Sequence, residues 1–407
     1  MKSFATHAVL LSTIFSASAA RALEMSYKDA ETRMLTQSFE LKQKIQEVEI
    51  SEANLKLAYA ARLPTVSANW THQKRGEESW SSGYSLDAEM SLFAGGAEYA
   101  TIAALKARRR ASELALEDYK DTLRVRLAGI MLAGSLATGK IEILKKTQKT
   151  IDNRVNEQRR RLRLGQVREP DLLQTEMESL RLGRSTISLE QELLQAGSDL
   201  KSLLGMASDE AVVFAPLEKL ASEITAQLKP RAEYRLEALR QEHRGLEYDA
   251  RSTWRSHLPT VGAFAGYGNA GSSGATGRDA EFGMGLRAQW VFFQGFALPA
   301  EMRRANAQSR VLEEQIKQAT LDREIQTELK RSEIKTFVDR HDSVKRASEM
   351  ARKAFQVQQT DYRRGIVTEL EVLSSIQNYL ELQTEDIDLV NQITRARVSG
   401  LELGAKL

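Results

Sequence analysis

Between Tyr84 and Phe93 apolar and polar positions alternate. Tyr84, Leu86, Ala88, Met90 and Leu92 share one parity; Ser85, Asp87, Glu89 and Ser91 share the other. A period of two predicts a strand with one apolar and one wet face. The run is about ten residues, which suits a tilted strand crossing a bilayer and is too short for a helix. It ends at Phe93 and Gly95-Gly96. A second run has Phe282, Met284, Leu286, Ala288, Trp290 and Phe292 on one face, against Gly283, Gly285, Arg287 and Gln289. Each run has a partner upstream. Val66, Ala68 and Trp70 alternate within Thr65–His72, and Val261, Ala263, Ala265 and Tyr267 do so in the second case. The polar, glycine- and serine-rich stretches Gln73–Gly83 and Asn269–Glu281 read as loops. The pattern therefore predicts two β-hairpins, at about 65–93 and 260–293.

Elsewhere the period lengthens. Glu24 to Arg62 is helical in pattern and stops before Leu63-Pro64, where proline ends a helix. Ala97 to Arg163 contains no proline, and its weak points are Gly129, Gly134 and Gly139. As one helix it spans roughly 100 Å at 1.5 Å per residue. Near its far end Ile141, Leu144, Gln148, Ile151, Val155, Gln158 and Leu162 step by fours and threes, a coiled-coil seam interrupted by two glutamines. Gly165 breaks the helix, and Pro170 opens the return from Glu169 to Leu204, in the first turn where proline is tolerated. Ala300 to Arg363, Gly365 and Glu369 to Leu403 repeat the sequence of events. Leu63-Pro64-Thr65-Val66 returns as Leu258-Pro259-Thr260-Val261. Leu204-Gly205 returns as Leu403-Gly404, and the heptad row Leu173, Leu180, Ile187, Leu194 as Leu373, Leu380, Ile387, Thr394. Ordered matches along the chain mark an internal duplication. Repeat 1 covers 23–205, a linker 206–225 and repeat 2 226–407.

Composition hides the strands. The net charge is +3, 28% of residues are charged, and mean hydropathy is −0.41. No apolar run after residue 22 reaches the length of a membrane helix, but half of a barrel strand faces water and escapes such averages. Lys2, the apolar Ala8–Phe15 and Ala20-Arg21-Ala22 predict a secretory signal peptide over 1–22. The chain has no cysteine, which excludes disulfides and a lipidated N-terminal cysteine. His7, His72, His243, His257 and His341 are scattered without metal-ligand spacing. No phosphate loop, nucleophile elbow or H-E-x-x-H is present. Neither a cofactor, a metal nor a catalytic residue is predicted, and the chain reads as no enzyme. The arginine runs 108–110 and 159–161 have acidic neighbours and read as solvated helix faces, not as a nucleic-acid surface.

Four strands cannot close a barrel, and an open edge in lipid leaves backbone groups unpaired. The chain must oligomerise, and three copies give twelve strands. In its signal, the duplicated L-P-T-V, the strand endings L-F-x-G-G and F-F-x-G, the long helices and the L-G and R-G turns, the chain resembles the TolC-type outer membrane efflux proteins over essentially its whole mature length. The resemblance implies an α plus membrane β-barrel fold. Four strands per chain would enter a trimeric twelve-stranded outer membrane barrel, above a long coiled-coil α-barrel in the periplasm. It implies a passive exit duct for a tripartite efflux or type I secretion system, serving a periplasmic adaptor and an inner membrane pump. The alternative is a periplasmic coiled-coil scaffold or adaptor without a pore. The resemblance places adaptor contact at Leu164, Gly165, Gln166, Arg364, Gly365 and Ile366. It places the gate at Asp171 and Tyr362, bridging neighbouring coiled coils, with Glu371 in an acidic lumen ring. Val367 and Ser374 depart from the family's arginine and second acid. The strand period puts Asp87, Glu89, Arg287 and Gln289 on the barrel lumen, and Leu86 and Met90 against lipid.

Overall fold

The computed structural model describes residues 24–74, 80–227, 233–269 and 280–402. The signal peptide prediction, most of both loops at the hairpin tips and Leu403-Gly404 lie outside the described residues.

Each repeat runs helix, hairpin, long helix, return helix. In repeat 1 these are α1 (Tyr27–Gln37) and α2 (Phe39–Ala60), β2 (Thr65–Gln73) and β3 (Ser81–Ala94), α3 (Ala97–Arg163), and α4 (Glu169–Leu204); β1 (Glu24–Met25) precedes them. Between the repeats lie β4 (Val213–Phe214) and α5 (Leu217–Gln227). Repeat 2 comprises α6 (Tyr234–Arg255), β5 (Thr260–Gly268), β6 (Glu281–Gln289), α7 (Ala297–Arg363) and α8 (Glu369–Glu402). The repeats are offset by 195 residues from α2 through β2 and by 200 from β3 onward. The second hairpin connection is therefore five residues longer than the first, and the duplication is otherwise in step.

Several boundaries differ from the sequence pattern, each for a local reason. The predicted helix 24–62 is interrupted at Ser38. Its amide closes α1 on the Met34 carbonyl at 3.0 Å, and its hydroxyl caps the Leu41 amide of α2. Glu24–Met25 is not helix; it pairs in parallel with Val213–Phe214. α7 begins at Ala297, three residues before the predicted start, because Pro299 falls in its first turn. β3 begins at Ser81, inside the stretch read as loop, and extends to Ala94 with a bulge between Ser91 and Phe93. The bulge re-phases the strand, so that Phe93 and not Leu92 pairs with Val261. β6 stops at Gln289, opposite Thr260. Beyond it the partner strand has ended at Pro259, which lacks an amide, so Trp290 and Phe292 lie outside the strand. The Trp290 indole instead donates to the His257 carbonyl at 3.2 Å.

The segment read as a linker contributes to the main core. Phe214, Leu217, Leu220 and Ile224 pack with Tyr27 and Met34 of α1, Leu127 and Met131 of α3, and Leu200 and Leu204 of α4. Gly134, a weak point by propensity, is where the Phe214 ring lies on α3, and the Ser135 hydroxyl donates to the Ala215 carbonyl beside it. A Cβ on Gly134 would overlap that ring. Gly134→Ala gains helix propensity of about 1 kcal/mol. Overpacking of about 1–3 kcal/mol opposes it. The expected net result is a lowered midpoint of helix melting by circular dichroism, and a raised midpoint would contradict this packing. The same core corrects the expectation about apolar runs. An 18-residue window of α3 reaches a mean hydropathy of 1.4, enough by composition to cross a membrane, and half of that window is buried inside the chain.

Below this core α3 and α4 form one coiled coil and α7 and α8 another, with α8 also lying against α3. The seam predicted along α3 is buried at Ile141, Leu144, Ile151, Val155 and Gln158. Its two glutamines are used: Gln148 Nε2 donates to Ser179 Oγ at 2.7 Å, and Gln158 Oε1 accepts from Thr175 Oγ1 at 3.2 Å. The duplicated heptad row behaves differently in the two repeats. Leu373 and Thr394 on α8 are buried, whereas Leu173, Leu180, Ile187 and Leu194 on α4 are exposed, Leu180 at 76%.

Candidate functional site

The strands form one antiparallel sheet in the order β2-β3-β5-β6, leaving β2 and β6 as edges. Directly paired residues share a face, so register fixes which side chains lie together. Val66, Ala88 and Ala265 stand with Met284 in one cross-strand row; Ala68, Leu86, Tyr267 and Phe282 form the next. With Trp70, Tyr84, Met90 and Ala263 this face is apolar up to the exposed His72–Ser82 pair near the first hairpin's tip, and its large apolar side chains are exposed.

The other face carries Ser67, Asn69, Ser85, Asp87, Glu89, Phe264, Gly266, Gly283, Gly285 and Arg287. Asp87 is buried here: its carboxylate accepts from Ser85 Oγ at 2.6 Å and Asn69 Nδ2 at 3.2 Å. Glu89 is exposed and stands opposite Phe264. The Phe264 ring occupies the space a side chain on Gly285 would take, and the Arg287 guanidinium lies 5.2 Å from its centroid. Gln289 is exposed at the strand's end. Thus Asp87, Glu89, Arg287 and Gln289 share one face, opposite Leu86 and Met90. Phe264 joins them there; the sequence reading missed it because its strand has small, apolar residues of both parities.

At the far end of the long helices lie the two turns. Gly165 has φ +70° and Gly365 φ +76°. In each, the glycine amide reaches back to the helix, to Leu162 O at 2.9 Å and Tyr362 O at 3.0 Å. The next amide, of Gln166 or Ile366, bonds Arg161 O or Asp361 O. This is the two-bond left-handed helix stop that glycine permits. Nothing lies within 4 Å of a Cβ on either glycine, so backbone conformation alone accounts for them. Leu164 and Ile366 are exposed at 71% and 67%, and Gln166 and Arg364 are exposed beside them.

Asp171 and Glu371 prove to be counterparts, each the third residue of its return helix. Asp171 accepts from Arg168 Nε and Nη2 at 3.2 Å. Glu371 accepts from the Thr368 amide at 2.6 Å while its own amide faces Thr368 Oγ1, a capping box. These hydrogen bonds hold the Glu371 carboxyl below its ordinary range. A depressed folded value means the cap is complete above the ordinary carboxylate range and is lost as pH falls through that lower value. Amide protection in the first turn of α8 is therefore expected to drop on acidification and to be insensitive to pH in Glu371→Gln. Equal behaviour of the two proteins would contradict the cap.

Within the chain Tyr362 does not meet Asp171. Its ring lies 5.0 Å from the Arg154 guanidinium and 5.3 Å from that of Arg161. Burial, then the Glu369 carboxylate to which the phenol hydrogen bonds, pushes the phenol up from its ordinary value. Arg154 donates to Glu369 through Nε at 2.9 Å and Nη2 at 2.5 Å, with side chains 8% and 4% exposed. Arg154 is on α3 and Glu369 on α8, so the pair ties the two coiled coils over the cluster of Ile151, Val155, Val372 and Ile376. Sequence reasoning missed this pair because 215 residues separate its members. Among the described residues no group of acids and histidines could hold a metal.

No curated protein matches the chain. Solved structures do. A membrane protein from Pseudomonas aeruginosa superposes with a TM-score of 0.80 at 16% identity, covering 95% of this chain and 91% of the other. The Campylobacter jejuni CmeC outer membrane channel gives 0.80 at 13% identity, covering 93% and 85%. The open state of the Neisseria gonorrhoeae MtrE outer membrane channel gives 0.77 at 14% identity, covering 96% and 93%. At such identities the likeness establishes the fold. The family model described as outer membrane efflux protein matches residues 32–206 and 233–399, one stretch in each repeat. The chain belongs to the outer membrane efflux protein family.

Proposed function

We propose that three copies of this chain close one twelve-stranded barrel in the outer membrane. It would continue through a periplasmic tunnel of long helices and conduct cargo passively from an inner membrane pump and its adaptor, catalysing no reaction. The observation that carries this reading is the four-stranded sheet, with one face apolar and exposed over most of its length and both edges free. An exposed apolar sheet face of this kind belongs in lipid, and a lipid-borne edge must be paired. The bare heptad row on α4 supplies a second surface for a neighbouring copy.

The polar face then lines the barrel, with Asp87, Glu89, Arg287 and Gln289 on the lumen and Phe264 narrowing it. The exposed Leu164, Gln166, Arg364 and Ile366, set by Gly165 and Gly365, form the periplasmic tip that an adaptor contacts. Asp171, Tyr362 and Glu371 flank the tip's closure. For Tyr362 the partner inside the chain is the Arg154–Glu369 pair.

The chain's lack of cysteine makes the test clean. Single cysteines at 87 and 89 should react with a membrane-impermeant maleimide through the pore, while those at 86 and 90 stay protected in intact outer membranes. Equal labelling at the four positions would overturn the placement.

A further inference from the structure

The connection from β6 to α7 carries four exposed aromatic residues, Trp290, Phe292, Phe293 and Phe296. Residues 290–294 lie outside any strand, whereas their counterparts Met90, Ser91, Phe93 and Ala94 pair with β5. Phe296 has φ +65° where Gly96 has φ +77°, and among the described residues it is the one non-glycine with positive φ. Such strain persists where the surroundings compensate for it. Inside the chain the Phe296 ring meets the edge of Phe293, 5.8 Å between centroids, yet the residue is 79% exposed.

The seam between the repeats within the chain shows what belongs beside this turn. At the end of α6 the Arg255 side chain lies over Gly96, 3.9 Å from where a Cβ would stand, and its Nη1 donates to the Gly96 carbonyl at 3.2 Å. Gly95 is walled in by the Arg255 carbonyl and by Leu258. The corresponding residues of α2 and β2 stand 195 positions earlier, and those of β6 and α7 stand 200 later. Exchanging the repeats therefore gives the residues that meet where one copy adjoins the next. Arg255 becomes Ala60 and Leu258 becomes Leu63, while Gly95 becomes Gly295 and Gly96 becomes Phe296. A long side chain over a glycine is replaced by a large ring over an alanine. Both halves of this second fit are bare in the single chain: Ala60 and Leu63 are exposed, and nothing lies within 4 Å of a Cβ on Gly295. One turn back, Ser252, whose hydroxyl donates to the Ala97 carbonyl at 3.2 Å, becomes the exposed Leu57. Farther along the helices the Arg108–Asp249 ion pair becomes Gln308 with Asn54. Gly245, packed against Ala104 and Arg108, becomes Ile50.

We propose that Phe296 of one copy docks over Ala60 of the next, between Leu57 and Leu63, and that residues 290–294 complete β6 on that copy's β2. Phe293 then pairs with Val66 and Gln294 with Thr65, as Phe93 pairs with Val261 and Ala94 with Thr260 inside the chain. The proposal rests on the trimeric reading above and names what selects the partner. The repeats of one chain are joined by an ion pair and a close glycine contact; the copies are joined by an aromatic knob in an apolar socket. A related chain with a large residue at the end of α2 would exclude the ring, so shape selects a second copy of this chain.

The test exchanges the two fits in the full-length protein. Ala60→Arg fills the socket while keeping helix propensity, and it should abolish the trimer band on a gel run in mild detergent. Ala60→Arg with Phe296→Gly reproduces the joint found inside the chain and should restore that band. Ala60→Cys with Phe296→Cys, treated with a short bismaleimide in intact outer membranes, should give covalent dimers and trimers. A trimer that survives Ala60→Arg, or no recovery in the double variant, would overturn the proposal. So would a native trimer whose cysteines at 60 and 296 never link, which would place the ring in lipid. Unmodified protein with the native mass of one chain would instead overturn the trimeric reading beneath it.

Discussion

Arg154→Met is expected to lower stability by about 3–5 kcal/mol, because it strands the buried Glu369 carboxylate without its partner. The double change Arg154→Met with Glu369→Leu should recover most of that loss. An apolar pair over Ile151, Val155 and Val372 replaces two desolvated charges at little net cost. Exposed pairs on the same helices, such as Lys146–Glu142, should change stability by less than about 1 kcal/mol when broken. The check is the midpoint of helix melting by circular dichroism for the two single variants and the double. A single variant no worse than the double would mean that the carboxylate is not buried as described.

Leu86→Arg is expected to remove the protein from the outer membrane fraction. Leu86 sits mid-strand on the apolar face beside Ala68 and Tyr267. An arginine at the bilayer midplane costs about 2–4 kcal/mol per copy. A closed ring of three would incur that cost three times. Glu89→Arg, three residues along and on the opposite face, should assemble normally and shift ion preference from cations toward anions, because the charge would enter the lumen. Comparable assembly of the two variants would contradict the assignment of faces.

The sequence made the alternating strands legible because a half-buried strand carries its faces as parity, and both hairpins and all four coiled-coil helices followed from periodicity and glycine stops. What it concealed was long-range or local in a way that parity does not record. The bulge at Leu92 shifts phase without any glycine to announce it. The break at Ser38 is a single capping serine inside an unbroken helical pattern. Phe296 adopts φ +65° where repeat 1 has Gly96, so the duplication preserved a turn but not the residue suited to it. The segment 206–225 looked like a connector because Ala215-Pro216 interrupts it between the two repeats, yet Phe214 and Leu220 enter the main core beside Gly134. At the tip, residue positions counted from the glycines brought out Tyr362, Asp171 and Glu371. They did not reveal that Asp171 and Glu371 are the same helix position in two repeats, nor that Tyr362 rests on Arg154.

The central claim is that this chain builds a duct through the outer membrane. Single-channel recording of the purified, detergent-extracted protein in planar bilayers addresses it most directly. The account predicts discrete, uniform conductance steps carried by a trimeric species. Full incorporation of the protein into the bilayer without conductance steps would contradict it.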